Sequence, residues 1–159
     1  MKNQKPAVWM GSSKDDLREF PVDVRRLMGV AINDAQNGEK HPAVKAATYP
    51  FLPSHPQYAL AIRQMNAGGG VVTFELKDGF DAAKNFLDAL QMILITSNLG
   101  DSRSIATHPS STTHAKLTEK DRNLIGIFPG TIRLSVGLED ISDILEDISN
   151  ALTFLNQKR

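Results

Sequence analysis

Residues 132–140 carry the sequence Ile132-Arg133-Leu134-Ser135-Val136-Gly137-Leu138-Glu139-Asp140, an apolar strand pattern that contains one arginine. An arginine in such a pattern is costly unless an anion meets it, and its planar guanidinium binds a carboxylate through two hydrogen bonds. The stretch therefore predicts a strand that holds an acidic substrate at Arg133. A salt-bridged arginine on an edge strand is the structural alternative, because ion pairs of that kind are common.

Strands and helices alternate around this stretch. Apolar alternation predicts strands over residues 71–76, 92–96 and 131–136, and helical spacing predicts helices over 57–65, 80–90 and 142–155. Thr118 is placed to cap a further short helix. The long polar stretch 98–116 is predicted to be a functional loop. Together these elements predict an α+β protein built as a two-layer α/β sandwich, with an antiparallel or mixed sheet covered by helices on one face.

The first part of the chain has a different organisation. Residues 7–10 predict a short strand, and a helical hairpin follows, with Pro21 at the start of its second helix and Gly38 after its end. The polar, proline-broken stretch 40–47 predicts a linker. We therefore expect two units, a strand plus helical hairpin over 1–46 and the sandwich domain over 47–159.

Composition excludes several functional classes. Eighteen basic residues balance eighteen acidic ones among 159, so nothing indicates binding to nucleic acid or to an anionic membrane. The chain contains no cysteine, which excludes disulfides and thiolate chemistry. The longest apolar run, residues 92–95, is too short to span a bilayer, and no secretory signal is visible. These features predict a soluble, cytoplasmic protein.

Three motifs have structural interpretations that we favour over functional ones. His108 and His114 have no cysteine or third histidine nearby, so we expect hydrogen bonds within the loop and no metal site. The glycines 68–70 precede a strand, which is the wrong context for a phosphate loop and predicts a turn or close packing. The acidic run between residues 139 and 147 precedes and enters a helix, where it complements the helix dipole.

Several landmarks in the second part of the chain occur together in a known order. They are Tyr49-Pro50-Phe51-Leu52-Pro53-Ser54-His55-Pro56-Gln57, Arg63-Gln64-Met65, residues 69–76, Ser97-Asn98-Leu99-Gly100-Asp101, His108-Pro109-Ser110-Ser111-Thr112-Thr113-His114 and the arginine strand. In this order and spacing, residues 48–157 resemble the C-terminal domain of the Cys/Met-metabolism family of pyridoxal-phosphate enzymes, the transsulfuration group. The stretch 98–101 is most similar to the O-succinylhomoserine sulfhydrylase branch.

The resemblance implies specific roles for four residues. The arginine that matches Arg133 binds the substrate α-carboxylate, and the position of Asn98, often serine in the family, helps to hold the same group. Ser97 falls where members vary with substrate preference, and Thr113 lies close to the pocket. The implied fold is the C-terminal domain of a PLP-transferase, and the implied reaction replaces the γ-substituent of an activated homoserine with sulfide or a thiol.

The resemblance also implies what this sequence lacks. Family members hold pyridoxal phosphate on a lysine in a Ser-x-Thr-Lys context, and no such motif occurs here. The pyridine-nitrogen aspartate, the stacking tyrosine and the phosphate-binding glycines belong to the large domain of the family. Without the lysine and its partners the electron-sink chemistry cannot be set up. We therefore assign no catalytic residue, expect no stable cofactor binding and no activity by this chain alone, and leave its status as an enzyme open.

The first segment resembles another family. Lys5-Pro6-Ala7-Val8-Trp9-Met10-Gly11-Ser12-Ser13-Lys14, Phe20-Pro21-Val22-Asp23-Val24-Arg25-Arg26 and Gln36-Asn37-Gly38 are similar to the opening of RelE-like, phage-type addiction-module toxins, which cleave mRNA on the ribosome. The similarity covers residues 4–46, and the toxin sheet that would carry RNA-contacting residues is replaced, so no catalytic residue is transferred. The simplest account is a chimeric reading frame joined between about Val44 and Tyr49.

Three functional hypotheses follow from the two resemblances. The chain is a residual part of a transsulfuration enzyme that binds amino-acid carboxylates, a non-catalytic chimeric module, or a toxin remnant that acts on translation. A small domain detached from its large domain exposes apolar surface. We therefore expect self-association or pairing with a full-length homologue.

Overall fold

The structure, a computed structural model, describes residues 41–157. Within this range one sheet contains the strands β1 (Val44–Thr48), β2 (Val71–Leu76), β3 (Leu94–Ile95), β4 (Ile105–Thr107) and β5 (Thr131–Ser135). The α-helices are α1 (Tyr58–Gln64), α2 (Gly79–Ala89), α3 (Glu119–Leu124) and α4 (Ile141–Gln157), and a 3-10 turn spans Pro109–Ser111.

The strand that carries the arginine lies in the interior of the sheet. The strand order is β1-β2-β5-β4-β3, with antiparallel neighbours except for the parallel pair of β3 and β4. Arg133 is paired with Thr73 on β2 and with Thr107 on β4. The edge-strand alternative for Arg133 is therefore wrong, because β5 has a hydrogen-bonded neighbour on each side.

The two faces of β5 have different chemistry. Ile132 and Leu134 are buried in the main core, which also contains Phe86 of α2 and Ile144 of α4. Because side chains alternate along a strand, Arg133 points to the opposite face from these two. The predicted two-layer sandwich is confirmed, with α2 and α4 on the apolar face and the polar side chains of β5 on the other.

Most predicted elements are confirmed with ends that move by one or two residues. The predicted strands over 71–76 and 131–136 correspond to β2 and β5. The predicted helices over 57–65, 80–90 and 142–155 correspond to α1, α2 and α4. Thr118 caps α3 as predicted, since its hydroxyl oxygen accepts the backbone N–H of Asp121 at 3.2 Å. The turn before β2 is closely packed, because a Cβ on Gly68 would lie 2.4 Å from the Tyr49 ring.

The linker prediction for residues 40–47 is wrong. Val44 and Ala43 are each only 3% exposed and belong to the main core, and β1 pairs antiparallel with β2. The strand runs with a bulge between Val44 and Ala46, so its side chains do not alternate regularly and its sequence lacks the pattern of a half-buried strand.

The predicted loop over residues 98–116 also needs correction. It contains β4, whose three residues are all buried, and the 3-10 turn. Conversely, the strand predicted over 92–96 shrinks to β3. The backbone N–H groups of Met92 and Ile93 bind the carboxylate of Asp147 and are not available to a neighbouring strand.

The predictions for the first part of the chain lie outside the described residues. These are the strand over 7–10, the helical hairpin and all of the toxin resemblance over 4–46 except residues 41–46. The boundary between the units at 46 and 47 stays a prediction. Within residues 41–157, no helix combines the length and the apolar composition needed to cross a membrane.

Candidate functional site

The guanidinium of Arg133 is held by backbone carbonyl groups. Its Nη2 donates hydrogen bonds to the carbonyl oxygens of Ser97 at 2.9 Å and of Asn98 at 3.0 Å. Ser97 and Asn98 follow β3 and are exposed, whereas Arg133 is half-buried. The structure thus brings three of the four predicted site residues together at one place on the polar face of the sheet.

The positive charge of Arg133 is oriented but not neutralised within the described residues. No carboxylate of residues 41–157 forms an ion pair with it. Its Nε is buried and makes no hydrogen bond to a described residue. Carbonyl oxygens carry only partial charge, so they fix the guanidinium while leaving its charge for an anion. The Nη1 donors engage no described residue and can bind a carboxylate.

The loop that supplies the two carbonyl groups is tied to β5 and stiffened by an ion pair. The backbone N–H of Gly100 donates to the hydroxyl of Ser135 at 3.3 Å. The Asp101 carboxylate accepts the backbone N–H of Arg103 at 3.0 Å and its Nε and Nη2 groups at 3.2 Å each. The side-chain hydrogen bonds from Arg103 come first among the causes that lower the pKa of Asp101 to about 2.

His108 is a buried loop residue with its ring fully engaged. Its Nδ1 lies 2.8 Å from the Ser111 hydroxyl, and its Nε2 lies 2.8 Å from the Pro129 carbonyl oxygen. Because a carbonyl oxygen only accepts, Nε2 donates to Pro129, and the hydroxyl of Ser110 also lies 2.8 Å from Nε2. The prediction that His108 serves loop hydrogen bonding is confirmed.

A second set of hydrogen bonds connects this turn to the strand beside Arg133. The hydroxyl of Thr112 donates to the His108 carbonyl oxygen at 2.8 Å and lies 3.1 Å from the hydroxyl of Thr107. Thr107 is 1% exposed and is the β4 partner of Arg133. The 108–112 turn is therefore fixed to the strand that flanks the arginine.

Thr113, the fourth predicted site residue, follows this turn and is exposed. Its hydroxyl lies 2.8 Å from Nδ1 of the neighbouring His114, and it makes no hydrogen bond to Arg133. The roles of Thr113, Ser97, Asn98 and Arg133 toward a substrate stay predictions. Sequence reasoning missed Thr107 and Thr112, although the dense run of serine and threonine at 110–113 after a histidine signals a hydrogen-bonded turn.

The described residues fit a carboxylate ligand better than they fit the cofactor. An unneutralised guanidinium on a polar sheet face suits a carboxylate. All five lysines of residues 41–157 are exposed, and none of them lies in the motif that holds pyridoxal phosphate: Lys45, Lys77, Lys84, Lys116 and Lys120. A lysine that forms a covalent bond to a carbonyl cofactor is usually shielded from water. None of these five exposed lysines offers the shielded amine that such a bond needs.

Comparisons with known proteins point to one family. The family described as Cys/Met metabolism PLP-dependent enzyme matches residues 18–153, which begins within the segment predicted to be toxin-like. The L-methionine gamma-lyase of Pseudomonas deceptionensis is 50% identical over 118 residues, which cover 74% of this chain and 30% of that protein. The O-succinylhomoserine sulfhydrylase of Mycobacterium tuberculosis is 50% identical over 117 residues, covering 71% of this chain and 29% of that protein.

Solved structures agree with this match. Cystathionine gamma synthase from Xanthomonas oryzae, in complex with aminoacrylate and cysteine, superposes with a TM-score of 0.74 at 34% identity. The alignment covers 86% of this chain and 35% of that one. Cystathionine gamma-lyase from yeast gives a TM-score of 0.77 at 30% identity, with 87% and 34% coverage. The chain spans about 30% of the length of the curated relatives described above.

The family model covers most of the chain, and its match includes all five strands of the described residues and the interior arginine of their sheet. The chain therefore belongs to the family of PLP-dependent enzymes of Cys/Met metabolism.

Proposed function

We propose that this chain is the part of a PLP-dependent transsulfuration enzyme that binds the α-carboxylate of the amino-acid substrate. One observation carries the proposal. The guanidinium of Arg133, on an interior strand, is fixed by the carbonyl groups of Ser97 and Asn98 and is not neutralised by any carboxylate of residues 41–157. An oriented guanidinium without an ion-pair partner binds an incoming carboxylate more strongly than one that is already paired.

The same geometry accounts for the asparagine at position 98. The contact with Arg133 uses the backbone carbonyl of this residue, and any residue type supplies that oxygen. A change from serine to asparagine therefore leaves the hold on the guanidinium intact. The side chain of Asn98 is exposed beside it, where it contributes a second polar group toward the substrate.

The substrate we favour is an activated homoserine, whose γ-substituent is exchanged for sulfide or a thiol. Support comes from the stretch Asn98-Leu99-Gly100-Asp101 and from the similarity to O-succinylhomoserine sulfhydrylases. The equal identity to an L-methionine gamma-lyase supports a shared carboxylate site across both activities. We place the enzyme in the cytoplasm, in line with a chain that contains no cysteine.

By itself the chain is expected to be inactive, because residues 41–157 contain no lysine placed to hold the cofactor. Purified chain mixed with pyridoxal phosphate is expected to lose the cofactor on gel filtration and to show no sulfide-dependent turnover of O-succinylhomoserine. A full-length sulfhydrylase, treated identically, is the positive control. Cofactor retention together with turnover by the isolated chain would show that it is a complete enzyme.

We also propose that the isolated chain self-associates or pairs with a full-length homologue. Support comes from large apolar side chains that are more than one-third exposed, among them Leu124, Leu138, Ile125, Ile95, Leu99 and Phe80. Exposed apolar area of this kind favours association. Size-exclusion chromatography over a concentration series is expected to show a shift to larger species, which Leu124→Ser reduces. A strictly monomeric profile at the highest concentration contradicts this proposal.

A further inference from the structure

Glu139 connects the segment after β5 to the loop that holds Arg133. Its carboxylate accepts the backbone N–H of Ser104 at 2.6 Å and the Ser104 hydroxyl at 2.9 Å. The Ser104 oxygen in turn accepts the backbone N–H of Gly137 at 2.9 Å, and Leu138 N–H donates to the carbonyl of Ser102 at 2.8 Å. Four hydrogen bonds therefore join residues 102–104 to residues 137–139.

The two backbones touch at this junction. A Cβ built on Gly137 would lie 2.4 Å from the carbonyl carbon of Arg103 and 2.4 Å from the nitrogen of Ser104. Separations that short are not found for real Cβ atoms, so only glycine permits this approach. Ser104 itself is only 2% exposed. The junction is thus tightly packed and leaves residues 102–104 little freedom to move.

This junction lies at the end of the 97–104 loop, whose first residues contact Arg133. Ser97 and Asn98, at the start of the loop, supply the two carbonyl groups that hold Nη2 of Arg133. Midway, the N–H of Gly100 is bound by Ser135, two residues after Arg133 on the same strand. Because the guanidinium has no other described partner, its orientation depends on where this loop lies.

We infer that Glu139 is a positioning residue for Arg133, acting through Ser104 and the 97–104 loop. This inference rests on the proposed carboxylate-binding function of Arg133. It also corrects the prediction that Glu139 serves the helix dipole, since its two oxygens bind Ser104 and α4 begins only at Ile141. A positioning residue of this kind determines how well the arginine is oriented before a substrate arrives.

The test uses the whole chain with arginine labelled by ¹⁵N and no ligand. The readout is the Nε–H resonance of Arg133, assigned by its loss in Arg133→Lys, and its rate of hydrogen exchange. In the unmodified chain the exchange is expected to be slow, because Nε is buried. In Glu139→Gln the exchange rate is expected to rise about tenfold and the resonance to shift, because one strong acceptor is lost and the loop moves.

Two controls separate positioning from simple stabilisation. Glu146→Gln changes an exposed carboxylate on α4 and is expected to leave the Arg133 resonance and its exchange unchanged. Ser104→Ala removes the hydroxyl that binds Glu139 and Gly137 but keeps the backbone N–H that donates to Glu139. It is expected to change the Arg133 resonance and exchange rate in the same direction but less, and the two changes are expected to be non-additive in the double variant. The Nε–H of Arg122, whose guanidinium binds the carbonyl of Leu117, is the internal reference.

An unchanged Arg133 resonance and exchange rate in a folded Glu139→Gln chain would overturn the inference, whether or not the melting temperature falls. Should Glu139→Gln fail to fold, Ser104→Ala gives the same decision. The readout is made without ligand. It can therefore succeed where carboxylate binding fails, and the two proposals can be refuted separately.

Discussion

Replacing Asp147 with alanine is expected to lower the free energy of unfolding by about 3 kcal/mol. Its carboxylate, on α4, accepts the backbone N–H groups of Gln91 at 2.8 Å, Met92 at 3.0 Å and Ile93 at 2.9 Å. The side chain is 6% exposed, and alanine would leave these donors without an acceptor in a largely dry environment. The loss of stability is large because hydrogen bonds to a charged acceptor are stronger than hydrogen bonds between neutral groups.

Urea unfolding followed by circular dichroism measures this difference. Glu146→Ala is the matched control, because Glu146 is exposed on the same helix one residue away, and its replacement is expected to change the stability by less than about 0.5 kcal/mol. Asp147→Asn keeps one acceptor oxygen, so its loss of stability is expected to lie between those of Asp147→Ala and Glu146→Ala. If Asp147→Ala were as mild as the control, the connection between α4 and the segment before β3 would not stabilise the domain.

The elements that the sequence predicts correctly are those in which local pattern and burial agree. In β5, alternate residues Ile132 and Leu134 face the core, and in α4 the apolar residues recur at helical spacing. Each of these elements buries one continuous apolar face. Burial of one apolar face requires a periodic pattern of apolar residues within the element itself, so the sequence of that element is enough to predict it.

The elements that the sequence misses depend on partners far away in the chain. β4 is only three residues long, and its burial results from pairing with β5 on one side and β3 on the other. β1 is stabilised by pairing with β2, and Lys45 on it forms an ion pair of 2.8 Å with Glu75. Pairing between distant segments has little effect on local composition. The sequence of β4 is therefore similar to that of a loop, and the sequence of β1 to that of a linker.

The candidate site divides in the same way. Arg133 is visible in the sequence because a charged residue interrupts an apolar strand, and the family resemblance adds Ser97 and Asn98 beside it. That their contact with the arginine runs through backbone oxygens could not be predicted, since every residue has a carbonyl group. Asp147 was equally hidden, because a buried acidic residue and an exposed one look alike within an acidic run.

Replacing Arg133 with alanine is expected to weaken the binding of an amino acid at least tenfold. The guanidinium is the charged donor that this proposal assigns to the α-carboxylate, and a hydrogen-bonded ion pair with it contributes more than a neutral contact. Arg133→Lys keeps the charge but loses the planar fork, so an intermediate loss is expected. Arg63→Ala removes an exposed arginine at the end of α1 and serves as the control, with affinity unchanged.

The ligand offers a second control. L-methionine carries the α-carboxylate, whereas L-methioninamide has the same side chain and a neutral amide in its place. Binding through Arg133 therefore predicts that the amide binds the unmodified chain weakly. It also predicts that the difference between the two ligands disappears in Arg133→Ala, which a merely structural role of the arginine would not produce.

The most direct measurement is therefore an NMR titration of the unmodified chain and of Arg133→Ala with L-methionine and with L-methioninamide. The proposal predicts saturable shifts at Arg133 and at the backbone amides of residues 97–100 for L-methionine alone, and their loss in Arg133→Ala. Equal responses of the two chains to L-methionine, or equal responses of the unmodified chain to both ligands, would contradict a carboxylate site at Arg133.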